Sequence, residues 1–98
     1  MKEKILDILF LQSKALGEEL MSSELSNPTP KTKLFGQQGN LDSIYLVIYI
    51  SEVEKSISEV FEKDIVIVNE KAMSQKLSPF HTIETFANFI VQILSEEL

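Results

Sequence analysis

The sequence predicts an all-α protein: a small four-helix bundle of three longer helices and one short helix, with a long loop between helices 1 and 2. Three observations point there. Apolar residues recur every three or four positions in three long stretches, the spacing of one helix face. Pro28, Pro30, Gly36 and Gly39 gather the turn-forming residues into a single segment. Only Asp64-Ile65-Val66-Ile67-Val68 has the β-branched look of a strand, and no second strand exists to satisfy its backbone.

The first helix is expected over Lys2 to Met21, with Ile5, Leu6, Leu9, Phe10, Leu16 and Leu20 inward; Gly17 weakens the pattern without ending it. Residues 22–40 read as a loop, long for a compact domain, with Leu34 and Phe35 as its apolar anchors. The second helix runs from Ser43 to about Glu62 on a stripe of Leu46, Ile50, Val53, Ile57 and Val60. Its first half is apolar nearly all round through Ile44, Tyr45, Val47, Ile48 and Tyr49, so something must cover it. Residues 64–68 become an extended connection pinned to the core. Asn69 caps a short third helix to about Gln75, and Ser78-Pro79-Phe80 makes a turn. Thr82 caps a last helix that buries Ile83, Phe86, Ala87, Ile90, Val91 and Leu94.

Ninety-eight residues suffice for one domain and one core. The absence of cysteine excludes disulfides, thiolate metal sites and cysteine nucleophiles. Nine Lys, no Arg and fifteen acidic residues give a net charge of -6. Nucleic-acid binding needs clustered basic groups to neutralise phosphates, so this balance argues against it and favours a protein partner with a positive patch. No apolar run approaches the ~20 residues needed to span a bilayer. The N-terminal stretch is not expected to be a signal peptide, because Glu3 precedes its apolar part, Asp7 interrupts it and no small-residue cleavage site follows. A cytoplasmic monomer, not bound to membranes, is the expectation.

The most informative segment is Gly39-Asn40-Leu41-Asp42-Ser43-Ile44-Tyr45-Leu46-Val47. A glycine-broken loop ends there, a short acidic residue caps the turn, and a serine stands where a long apolar helix starts. Its hydroxyl lies at the positive end of a helix dipole, where a phosphate diester is electrostatically favoured. No Gly-rich phosphate loop, metal-ligand spacing or nucleophile–base–acid set accompanies it, so no catalytic residue is expected. His81, the only histidine, has no partners for general-base work and reads as a polar surface residue.

Over roughly Leu34 to Leu94 these residues resemble the acyl carrier protein family, the phosphopantetheine-binding carriers. The resemblance rests on the loop glycines, Leu41-Asp42-Ser43-Ile44, Leu46-Val47, the long apolar helix after them, and the approach to the last helix at Ser78-Pro79-Phe80-His81-Thr82-Ile83. It implies a phosphoprotein in which Ser43 receives 4'-phosphopantetheine from a magnesium-dependent phosphopantetheinyl transferase. Asp42 then matches the acidic residue before the modified serine, and Ile44 stands where the family usually has Leu. The arm's thiol would hold an acyl or aminoacyl thioester, exchanged with enzymes that load and transfer that group. Three departures separate the chain from the fatty-acid-synthesis type. These are a second helix about one turn longer, Tyr45 and its neighbours in place of acidic residues, and an unfamiliar stretch from Val68 to Phe80. They resemble a specialised carrier of a secondary or surface-polysaccharide pathway.

Other readings stand beside this one. Ser43 alone is compatible with an ordinary helix-start serine. Glu52, Glu54, Glu59, Glu62 and Asp64 form either an acidic recognition face or a solvated helix surface. Ile44, Val47, Ile48 and Ile50 line an acyl pocket or pack the core, and Tyr45 and Tyr49 touch a partner or cover the core edge. Glu96 and Glu97 read as a solvated end. As a class, the alternatives are an unmodified acidic interaction module and, among carriers, an aminoacyl or D-alanyl carrier.

Overall fold

In a computed structural model, which describes residues 2–36, 39–65, 67 and 79–97, four helices occur among the described residues. We number them α1 (Lys2–Leu20), α2 (Ser23–Ser26), α3 (Ser43–Phe61) and α4 (Ile83–Glu97). Three are long and one is short, and no strand appears among the described residues. The expected short helix from Asn69 to Gln75 lies outside the described residues. The short helix observed is instead α2, inside the segment read as loop. Its N-cap is Ser22, whose hydroxyl accepts the Leu25 N–H at 3.3 Å.

The helix α1 is the hub, packing against α2, α3 and α4. It buries Ile5, Leu9 and Leu16, with Leu6, Phe10 and Leu20 partly covered at the margin, the stripe expected from the sequence. Gly17 continues the helix and also admits α2. A Cβ there would stand 2.5 Å from both Ser26 N and Ser26 Oγ. The helix ends one residue before Met21, which takes a left-handed φ of 56° while Ser22 N–H bonds the Gly17 carbonyl at 2.9 Å. That is a Schellman-type stop built without the usual glycine.

The long loop is tied down at both ends of its path. Thr32 and Pro30 offer their carbonyls to the Ile83 and Glu84 N–H groups at 3.1 and 2.9 Å, and so complete the start of α4. Leu34 and Phe35 N–H groups donate to His81 and Phe80 carbonyls at 2.8 and 3.1 Å, flanking an antiparallel bridge between Lys33 and Thr82. The loop then closes on itself through Leu41 N–H to the Leu34 carbonyl at 2.8 Å. As expected, Leu34 is fully buried and Phe35 packs at the core margin. Asn40 was not foreseen as a structural residue. Its Nδ2 donates to the Lys33 carbonyl at 2.8 Å and to Glu24 Oε2 at 2.9 Å.

On α3, Leu46, Ile50, Val53 and Ile57 are buried, while Val60 is 51% exposed. The predicted stripe thus stops one turn early, because the chain leaves the helix at Glu62 with a left-handed φ of 54°. Beyond it Ile65 and Ile67 are buried, and Glu54 Oε1 accepts the Ile67 N–H at 2.7 Å. The extended connection is therefore pinned to the core as expected; Val66 and Val68 lie outside the described residues. Pro79 and Phe80 form a buried turn, and Thr82 Oγ1 accepts the Thr85 N–H at 3.1 Å to cap α4. Ile83, Phe86, Ala87, Ile90 and Leu94 are buried and Val91 partly so. Phe86 meets Phe80 edge-on at 5.2 Å and Tyr49 at 5.9 Å, which joins α3 to α4 through aromatic rings.

Candidate functional site

Asp42 and Ser43 divide the work at the start of α3. Asp42 is the N-cap: its carboxylate accepts the Tyr45 N–H at 2.9 Å, and its carbonyl takes the first helical bond, from Leu46 N–H, at 2.9 Å. Ser43, the first helical residue, is left exposed, and its hydroxyl has no hydrogen-bond partner among the described residues. The neighbouring carboxylate does the capping, and Ser43 stands at the first helical position, where an ordinary helix-start serine also fits. The dipole is positive at this helix start and the first N–H groups have no helical acceptor, while the Asp42 carboxylate beside Ser43 takes up the Tyr45 N–H and offsets part of that field.

Beside the hydroxyl is an apolar ridge. Ile44 is 69% exposed, Val47 57% and Ile48 42%. Ser43, Ile44, Val47 and Ile48 line an open, mainly apolar groove of about 420 Å³. Ile48 also borders a second groove of about 280 Å³ between α1 and α3, together with Ala15, Glu19, Tyr49 and Glu52. Of Ile44, Val47, Ile48 and Ile50, the four residues read as acyl-pocket lining or core, Ile50 belongs to the core and the other three face out. Tyr45 is half-buried at the core margin.

Tyr49 is a core residue, fully buried, and its hydroxyl donates to the Leu9 carbonyl of α1 at 2.9 Å. Burial pushes its phenol well above the ordinary tyrosine range, because the anion would lose its hydration. Sequence alone did not reveal this, although the residue's register with Leu46, Ile50 and Val53 was a signal. Of the acidic residues on and after α3, Glu52, Glu59, Glu62 and Asp64 are exposed, whereas Glu54 is half-buried and engaged by Ile67. A five-member recognition face thus loses one member to structure. His81 is exposed, and no cluster of metal-ligating side chains occurs among the described residues. The side chains of Glu96 and Glu97 lie outside the described residues. Among the described residues no helix is long and apolar enough to cross a membrane.

These features define a helical bundle that presents one uncommitted hydroxyl at a capped helix start. Compared with family models, curated proteins and solved structures, the chain matches none of them.

Proposed function

We propose that this chain is an acyl carrier protein, a non-catalytic protein that carries 4'-phosphopantetheine on Ser43. One observation supports this most: the Ser43 hydroxyl is exposed at the first position of α3 while Asp42 performs the capping. A serine that capped its own helix would have its oxygen engaged; this one is available as a nucleophile.

The surroundings fit such a group. A phosphodiester on Ser43 Oγ would sit against the free N–H groups of the first turn. The apolar part of an arm would meet Ile44, Val47 and Ile48 instead of charge. When bound, the arm supplies a terminal thiol that holds an acyl or aminoacyl group as a thioester. The chain's own residues present the hydroxyl, fix its direction through the capped helix, and offer a surface to the enzymes that load and unload it. A magnesium-dependent phosphopantetheinyl transferase would install the arm, with the metal belonging to that enzyme.

Co-expression with a broad-specificity transferase followed by intact-mass measurement examines the reading. The mass should rise by one phosphopantetheinyl group in the wild type and not in Ser43→Ala. An unchanged wild-type mass, or a rise in the variant, refutes it. The exposed acids Glu52, Glu59, Glu62 and Asp64 also suit an unmodified acidic interaction module binding a basic partner. For that module Ser43→Ala leaves partner binding intact, whereas Glu52→Lys combined with Glu59→Lys abolishes it.

A further inference from the structure

We infer that an apolar group carried at Ser43 lies along the outer face of α3, on Ile44, Val47 and Ile48, and stays out of the bundle interior. The inference rests on the carrier reading and specifies how that same site treats its cargo.

Successive helical residues are about 100° apart, which places Ser43, Ile44, Val47 and Ile48 within an arc of about 140°. Leu46, Tyr49, Ile50, Val53 and Ile57 fill a separate arc of about 100°, whose edge at Ile50 comes within about 20° of Ser43, and all five are buried. The two faces offer a carried chain different environments. Outward there is an open, mainly apolar groove whose lining includes Ser43 itself, so a chain attached there reaches apolar surface without crossing the helix. Its apolar walls are already exposed to water, and covering them is favourable.

Inward, the buried residues nearest in angle to Ser43 within about two turns are Ile50 and Leu46, and at the far side of that face, about 120° round, stands Tyr49. Its ring packs on Phe86 at 5.9 Å, Phe86 packs on Phe80 at 5.2 Å, and the phenol donates to the Leu9 carbonyl at 2.9 Å. A chain entering along this face would first have to part buried Ile50 and Leu46 and, to cross it, displace a close-packed ring. It would also strip a buried hydroxyl and a buried carbonyl of their shared hydrogen bond, which makes that route unfavourable. Among the described residues the inward route breaks existing interactions, and the outward route breaks none.

The experiment uses the full chain, loaded on Ser43 with an octanoyl-bearing arm and, for reference, an acetyl-bearing arm, each verified by intact mass. Methyl NMR compares the two species. The longer chain should shift the methyls of Ile44, Val47 and Ile48 and leave those of Val53, Ile57 and Ile90 in place. In Val47→Asp, a change at an exposed position, the ridge shifts should shrink at least twofold. Shifts centred on Val53, Ile57 and Ile90, or ridge shifts undiminished in Val47→Asp, overturn the inference while leaving the carrier reading intact. Failure of the mass to rise removes both.

Discussion

Whether a serine hydroxyl is free depends on which neighbour satisfies the first turn of the helix. Here Asp42 accepts the Tyr45 N–H, and Ser43 points its oxygen to solvent. Asp42→Ala should lower stability by about 1 kcal/mol, the usual loss for an N-cap, measured as a lower urea midpoint at unchanged slope. The presence of aspartate immediately before a helix was readable from sequence because capping is a local interaction. Gly17 teaches the opposite. Its helical position was readable, but its contact with Ser26 was not, because α2 returns from nine residues further on. Helix propensity favours Gly17→Ala by about 1 kcal/mol. The added Cβ, however, would stand 2.5 Å from the Ser26 backbone nitrogen, and overpacking of this kind costs about 1–3 kcal/mol. Backbone cannot rotate away as a side-chain end can, so a net loss is expected. A thermal midpoint for Gly17→Ala equal to or above wild type contradicts that contact.

At the scale of elements, what starts and stops a helix differs in legibility. Starts at Asp42 and Thr82 carry side chains that act on N–H groups three residues on. Stops at Met21 and Glu62 carry none of the expected glycine, yet both residues adopt left-handed backbone. What enforces these stops is tertiary: α2 must turn back onto α1, and Ile65 and Ile67 must reach the core. The connection after α3 depends on Glu54, whose sequence context matches the surface acids but whose carboxylate accepts the Ile67 N–H. Glu54→Ala leaves that amide without its acceptor. Its hydrogen exchange should accelerate by tenfold or more, the factor expected for about 1.4 kcal/mol of lost protection. An unchanged rate would show that the carboxylate does not hold the connection.

The described helices are organised around α1, and Tyr49 is where three of them meet: α3 carries it, α1 accepts its hydroxyl's hydrogen bond through the Leu9 carbonyl, and α4 packs Phe86 on its ring. Because burial raises this phenol's pKa, the unfolded chain loses the proton first as pH rises. The stabilising contribution is fully present below the unfolded value near 10 and declines above it. Between pH 10 and 11.5 the wild type should lose stability with a component approaching 1.4 kcal/mol per pH unit from this one group. Tyr49→Phe should be less stable at neutral pH by about 1 kcal/mol and should lack that component. Parallel alkaline stability curves for the two proteins would exclude Tyr49 as the source.

The sequence by itself determined the all-helical class, the three long helices, their inward stripes and the serine at the head of α3. Each of these depends on spacing or on neighbours within four residues, distances over which a helix makes its own contacts. Only the tertiary structure decided that the segment before Ser43 folds into α2 and completes the start of α4. It alone showed that Val60 faces water, that Glu54 turns inward, and that Tyr49 is sealed in the core while Ile44, Val47 and Ile48 are not. Those outcomes depend on partners far apart in the chain, from Glu54 and Ile67 to Pro30 and Glu84. A helix apolar on two faces does not reveal in sequence which face its neighbours will cover.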